Sequence, residues 1–408
     1  MLNFLFTGRS TPLFFPLLAS ALLLSSACEK QGQKAGKSTD GNKAEVIQDW
    51  PIYRGDAELQ GVSREDLAPP LKIAWSFEPP LEKGQKRRPS IEATPVAANG
   101  RVFVGSEDGN FYALHISYGT PIWKFKADGP IIAPGAVFGD QVFFGDTHGF
   151  VYGLNIADGS ELWRFETDGK IEGGINALQS SGGQWHLFVG SYDYFIYCLN
   201  AADGSLIWKK ETGNYLVSTP SIINSGGQQA LSFGGCDGML HILPANGKGQ
   251  AREIDVGTYI ANSSCVRDGI CYVADNGGEV MAIDVATGET AWKTTTEAQY
   301  TASPAVGEKH LYVAGPDKRL VAFDRVMGEE VWAFQAPRAL DSSPVICPSA
   351  IWQGGLDGRL YAIDPKTGKE LWNFELGAKI KASPAISRKF MIICGQDGVV
   401  YGFTEAKK

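Results

Sequence analysis

The sequence predicts an all-β fold, an eight-bladed β-propeller closed by its own N-terminal strand. Three observations carry this reading. A glycine followed four residues later by tryptophan recurs every 40 to 45 residues or so, as in Ala113/Gly119/Trp123, Ala282/Gly288/Trp292, Ala322/Gly328/Trp332 and Ala362/Gly368/Trp372. Each copy has the same order of short apolar runs and Gly/Asp turns. The chain also begins with a tryptophan strand that has no copy before it and ends with a copy that lacks one. A repeat of this period is the mark of a stacked or ring architecture.

Copy six shows the unit whole: Thr301-Ala302-Ser303-Pro304, then Leu311-Tyr312-Val313-Ala314, Leu320-Val321-Ala322-Phe323 and Val331-Trp332. The middle runs are separated by Asp108-Gly109, His148-Gly149, Asp237-Gly238, Gly277-Gly278, Asp357-Gly358 or Asp397-Gly398, residues that accept positive φ in a hairpin. Each copy is therefore read as a four-stranded antiparallel meander. A lone meander leaves its faces wet, whereas a ring buries them and leaves no stacking end uncovered.

The last copy stops at Tyr401-Gly402-Phe403, and Ile73-Ala74-Trp75-Ser76-Phe77 supplies the missing strand. That predicts eight blades with inner strands near 92, 132, 174, 218, 262, 302, 342 and 382. Trp75, Trp123, Trp163, Trp208, Trp292, Trp332 and Trp372 are read as structural docking residues, each reaching over the turn that precedes it. Burial of one indole contributes on the order of 3 kcal/mol. Blade four breaks the rule: His241 and Gly247 keep the spacing, but Ala251 stands where the indole is expected. That blade is expected to be the loosest, or to be covered by something else.

These repeats resemble the tryptophan-docking repeats of the quinoprotein-type, or PQQ-like, β-propeller superfamily over residues 71 to 403. Asp49-Trp50-Pro51-Ile52-Tyr53-Arg54-Gly55 resembles the lead-in found in proteins of that superfamily. The resemblance implies one of two branches. One is the quinoprotein dehydrogenases, with pyrroloquinoline quinone and calcium; the other is the non-enzymatic envelope lipoproteins of the BamB type. The chain has no adjacent cysteine pair and no long inserted loops, so neither the quinone nor calcium is expected as a cofactor. The BamB branch implies envelope or outer-membrane proteins as partners, including an insertase complex. This chain departs from it at Glu211-Thr212-Gly213-Asn214-Tyr215, a short turn where BamB proteins carry an extended loop.

Residues 12 to 24 are apolar, follow the single cation Arg9, and are too short for a comfortable membrane span. Leu24-Ser25-Ser26-Ala27-Cys28 resembles a lipobox, with Ser25 where an aliphatic residue is usual. Residues 1–27 are thus read as a lipoprotein signal, Cys28 as the lipidated residue, 28–48 as a polar tether and 49–408 as the propeller. This implies a lipid-anchored protein facing the periplasm, with the outer membrane favoured over the inner. Loss of the signal removes Arg9 and no acid, leaving 36 basic against 45 acidic residues, a net charge of −9. That excess argues against nucleic acid or anionic headgroups as partners. Lys86-Arg87-Arg88 is read as a solvated turn.

Six further cysteines fall mainly on strand positions, where cysteine packs as a small hydrophobe. Cys265 and Cys271 flank Arg267-Asp268-Gly269: a three-residue loop would set them opposite one another, a two-residue turn would put them on opposite faces. His115, His148, His186, His241 and His310 are scattered over different blades beside no recognisable nucleophile, and no cysteine–histidine spacing suits zinc. No catalytic or metal residue is assigned.

The residue three before each Ser/Thr-Pro proline is expected at an equivalent entry to the channel: Glu92, Ile131, Val217, Thr301, Asp341 and Lys381. Blades seven, eight and one become neighbours on closure, so Asp341, Lys381 and Glu92 should line one arc of the mouth. They form either a salt-bridged rim or a docking point for an extended peptide or small ligand. The function expected is a non-enzymatic scaffold, BamB-like in outer-membrane protein assembly; the alternative is a periplasmic quinoprotein-type or sugar-processing enzyme.

Overall fold

The computed structural model describes residues 48–81, 84–225 and 228–406. The predicted signal segment and Cys28 lie outside them. Among the described residues there is no helix, and 32 strands form eight four-stranded antiparallel sheets. Blade one runs Val96–Ala98, Arg101–Gly105, Asn110–His115 and Pro121–Lys126 from the channel outward. The second and third strands are buried on both faces because neighbouring blades cover them, while the outermost strand alternates, with Trp123 turned inward.

Closure is as predicted. Leu71–Phe77 pairs antiparallel with Val400–Glu405 at the outer edge of the sheet that contains Ala385–Ser387 and Phe390–Cys394. Trp75 stands opposite Gly402, as Trp123 stands opposite Ala113 and Trp163 opposite Gly153. A bulge follows at each of these pairs, and it bends the outer strand.

The docking partner differs from the one predicted. Six of the seven indoles lie on the glycine of the next blade, and the turn before each in the sequence is not its seat; Trp372, which faces the blade closed by the N-terminal strand, packs against Trp352 and Phe374. A Cβ built on Gly119 would fall 2.2 Å from Trp75, on Gly159 2.6 Å from Trp123, on Gly204 2.4 Å from Trp163 and on Gly328 2.5 Å from Trp292. In five of them the indole N–H donates to the carbonyl three residues before that glycine, as in Trp75 to Ile116 at 2.8 Å, Trp123 to Ile156 at 3.0 Å, Trp163 to Ala201 at 2.9 Å and Trp292 to Arg325 at 2.9 Å, whereas the buried Nε1 of Trp208, on Gly247, has no partner among the described residues. Along the sequence the motif looks local, but its contacts join neighbouring blades. Only the first small residue, such as Gly153 or Gly402, makes room within the blade itself.

Blade four also corrects the prediction. Its third and fourth strands pair Ile242 with Arg252, the register that elsewhere holds the small residue and the tryptophan. The turn is one residue shorter before Gly247 and one longer after it, so Arg252, not Ala251, holds the docking position. Its aliphatic stem lies on Gly288, and Nη1 donates to Val285 O at 2.8 Å, as an indole would.

Residues 49–63 run across the channel on the side of the short inner hairpins. Trp50 bridges Ala97 of blade one through two backbone hydrogen bonds. Val137 N donates to Pro51 O, Ile222 N to Ala57 O, Val266 N to Glu58 O, Val306 N to Gln60 O and Ile346 N to Gly61 O. The unused edges of the inner strands are thereby satisfied by a single segment. Trp50 and Arg54 are essentially inaccessible to solvent, and Arg54 Nη2 donates to Pro304 O at 3.2 Å. The lead-in is a plug.

Candidate functional site at the channel mouth

The Ser/Thr-Pro motif builds a belt of hydrogen bonds around the channel. The backbone N–H of Gly174 donates to Thr219 Oγ1, Thr219 to Ser263 Oγ, Ser263 to Ser303 Oγ, Ser303 to Ser343 Oγ, Ser343 to Ser383 Oγ and Ser383 to Thr94 Oγ1, at 2.8 to 3.1 Å. Each hydroxyl thus ties its blade to the preceding one, and the proline that often follows it needs no donor of its own. The belt opens at blade two, where Pro134 has neither an N–H nor a hydroxyl.

That break explains a misplaced residue. Inner strands Val96–Ala98 and Ala136–Phe138 are equivalent, so Pro134 stands at the hydroxyl position of its blade and the counterpart of Glu92 is Ile132. Ile131 was expected at the mouth; it is fully buried, and its side chain fills the space over Gly105. Glu92, Ile132, Glu172, Val217 and Thr301 line a central cavity of about 140 Å³, with Tyr53 as its floor. Tyr53 Oη reaches Ser303 Oγ at 3.0 Å and Ser343 Oγ at 2.9 Å, so the plug is fastened to the hydroxyl belt. Glu172 carries no motif signal because its blade reads Gly174-Ile175 in place of Ser/Thr-Pro.

Glu92 and Lys381 join blades one and eight. Lys381 Nζ lies 2.6 Å from Glu92 Oε2, and Gln396 Nε2 donates to Glu92 Oε1 at 2.6 Å. Asp341 is pushed up from the ordinary carboxylate range, chiefly by burial; Lys381 opposes that shift and Glu92 adds to it. Glu107 is raised by burial and then by the charge of Glu92. Tyr192 Oη donates to Glu172 Oε2. The mouth is therefore an acidic rim with one lysine set into it.

Histidine and cysteine take structural places. His241 stacks on Phe233 at 5.1 Å, with Nε2 2.9 Å from Asp237 Oδ2. Cys265 pairs with Tyr272 and Cys271 with Val266 around the two-residue turn Asp268-Gly269, so the two thiols sit on opposite faces and both are free. Burial pushes Cys271 up to about 11.

A family model described as outer membrane protein assembly factor BamB matches residues 62–180, 147–228, 244–351 and 349–407, which together span most of the chain. The chain belongs to this family. The BamB match begins at the end of the plug segment, at residue 62, and skips residues 229–243 of blade four, the blade that docks through Arg252. No curated protein matches. Among solved structures, BamB from Moraxella catarrhalis aligns with a TM-score of 0.67 at 18% identity, over 83% of this chain and 99% of that one. The quinohemoprotein alcohol dehydrogenase from Comamonas testosteroni aligns with a TM-score of 0.73 at 15% identity, over 90% and 82%. A europium-containing methanol dehydrogenase aligns at 0.71 and 12%, over 88% and 98%. These likenesses establish the ring architecture that BamB shares with the dehydrogenases.

Proposed function

We propose that this protein is a non-enzymatic scaffold of the cell envelope, anchored by lipid at Cys28 and facing the periplasm from the outer membrane, which grips partner proteins in BamB-like outer-membrane assembly. The observation that carries the reading is the plug. Tyr53, held on Ser303 and Ser343, leaves about 140 Å³ at the channel mouth, whereas pockets for small ligands occupy roughly 300 to 1,000 Å³. The residues present do not suit pyrroloquinoline quinone with calcium: the cavity is small, Lys381 neutralises Glu92, and among the described residues no group of three His, Cys, Asp or Glu converges for a metal. The opening instead offers fixed carboxylates and one ammonium at the rim of a rigid ring, an arrangement suited to a polar segment of another protein.

Affinity capture from detergent-solubilised envelopes tests this reading, with recovery of an outer-membrane insertase as the expected result. In parallel, the quinone with calcium should leave the melting temperature unchanged. A ligand at a hundredfold excess over its Kd adds roughly 2.7 kcal/mol. A quinone-dependent rise in melting temperature with dye-linked dehydrogenase activity would overturn the scaffold.

A further inference from the structure

A second surface, separate from the channel mouth, lies between blades six and seven. Lys318, Arg338, Arg359 and Lys379 come to one open groove of about 760 Å³ whose walls include Pro337 and Leu356. Arg359 Nη2 lies 3.4 Å from Glu375 Oε2, and Asp357 accepts the hydroxyl hydrogen of Tyr361. Lys318, Arg338 and Lys379 are exposed and have no ion-pair partner among the described residues. In a chain with 37 basic against 45 acidic residues, three unpaired cations in one groove reverse the local sign of the surface. The four cations stand on four separate segments, the turn at 315–318, the connections 336–340 and 376–380, and the strand Arg359–Ile363, so they are spread along the groove. Backbone hydrogen bonds fix those segments: Ala336 N donates to Lys318 O, Leu356 N to Ala339 O and Gln396 N to Lys379 O.

We infer that this groove binds an acidic peptide segment of a partner protein, its carboxylates meeting Lys318, Arg338 and Lys379 and its aliphatic surface lying against Pro337 and Leu356. Charge complementarity selects an anionic occupant, and the apolar wall between the cations favours a chain with side-chain and backbone surface over a small hydrated anion. The inference names a partner chemistry for the scaffold reading and rests on it.

The test is fluorescence anisotropy of a labelled octaglutamate peptide with the full-length protein at 50 and 300 mM NaCl. The triple variant Lys318→Gln, Arg338→Gln, Lys379→Gln should weaken binding about tenfold or more at low salt, and binding should fall at high salt. A control with the same charge change on the opposite face and rim, Lys248→Gln, Lys366→Gln, Lys369→Gln, should bind as the wild type does. Equal losses in the two variants would reduce the effect to net charge and overturn the site. Groove-dependent binding to vesicles of anionic phospholipid, or full competition by millimolar inorganic phosphate, would replace the peptide with a phosphate ligand and overturn it too. Capture of an envelope partner that survives the triple variant removes the groove and leaves the scaffold reading intact.

Discussion

The indole of Trp75 rests on Gly119, forty-four positions away in the sequence and one blade onward in the ring. It donates to Ile116 O at 2.8 Å, while a Cβ on Gly119 would fall 2.2 Å from its ring. The strand that completes blade eight is thereby locked onto blade one, so closure depends on a hydrogen bond and a missing side chain as well as on strand pairing.

Gly119→Ala should destabilise the protein by about 2 to 4 kcal/mol, combining the strain of φ +68° with overpacking against the indole. Gly139→Ala is the control, since Gly139 has φ +62° but nothing within 4 Å of its Cβ, and it should cost only about 1 to 2 kcal/mol. Urea unfolding of both separates contact from conformation. Equal losses would mean that the seat of Trp75 contributes nothing.

Arg252 should behave as the docking residue of blade four. Arg252→Ala should cost roughly 1 to 3 kcal/mol through the lost stem packing and the unsatisfied Val285 carbonyl, whereas Arg252→Trp should keep most of the stability. Ala251→Trp places an indole outside the docking register and should not compensate for Arg252→Ala. Thermal denaturation of the three proteins decides between registers.

The plug carries a pH signature. Burial pushes Asp56 up to about 6, opposed by the Gln60 N–H and helped by the charge of Glu58. Its neutral form is therefore favoured in the folded chain, so the stability it contributes is complete below about pH 4 and is lost as pH rises through about 6. Asp56→Asn should gain on wild type by about 1 to 3 kcal/mol between pH 4.5 and pH 7.5, with the side chain's partial exposure allowed for. Denaturant midpoints at the two pH values test it, and parallel profiles would exclude an ionised, desolvated Asp56.

At the channel mouth, Glu92→Gln, Asp341→Asn and Lys381→Gln together should leave stability within about 1 kcal/mol, since the pair Lys381–Glu92 is partly solvated. Capture of a partner that uses the mouth should fall. Undiminished capture would assign the three residues to a solvated rim.

Cys28→Ala should abolish lipid labelling and release the protein into the soluble periplasmic fraction. Stable anchoring by acyl chains needs two or more of them, and all would be lost at once. Retention in membranes washed with high salt would point to a protein tether.

Much of the site was legible in the sequence because the repeat places equivalent residues at equivalent positions: Glu92, Asp341 and Lys381 were found by counting back from a proline. Counting failed where the blade itself departs from the motif. Pro134 shifted the frame and put Ile131 where Ile132 belongs, Gly174-Ile175 concealed Glu172, and compensating length changes around Gly247 concealed Arg252 behind Ala251. One-residue shifts of this kind turn a side chain to the other face, and only pairing register reveals them.

The sequence by itself determined the number of blades, the strand order within each and the exchange of the closing strand, because period-two strands, turn residues and a spaced tryptophan are all local signals. Which blade each indole seats against, and the plugging of the channel by Tyr53 and Arg54, were decided only in three dimensions. The same holds for the acidic mouth, with its single lysine, and the cationic groove between blades six and seven. Those features join residues tens to hundreds of positions apart, as in Tyr53 with Ser303 or Lys381 with Glu92. No local pattern encodes such a distance until the ring closes and brings the blades side by side.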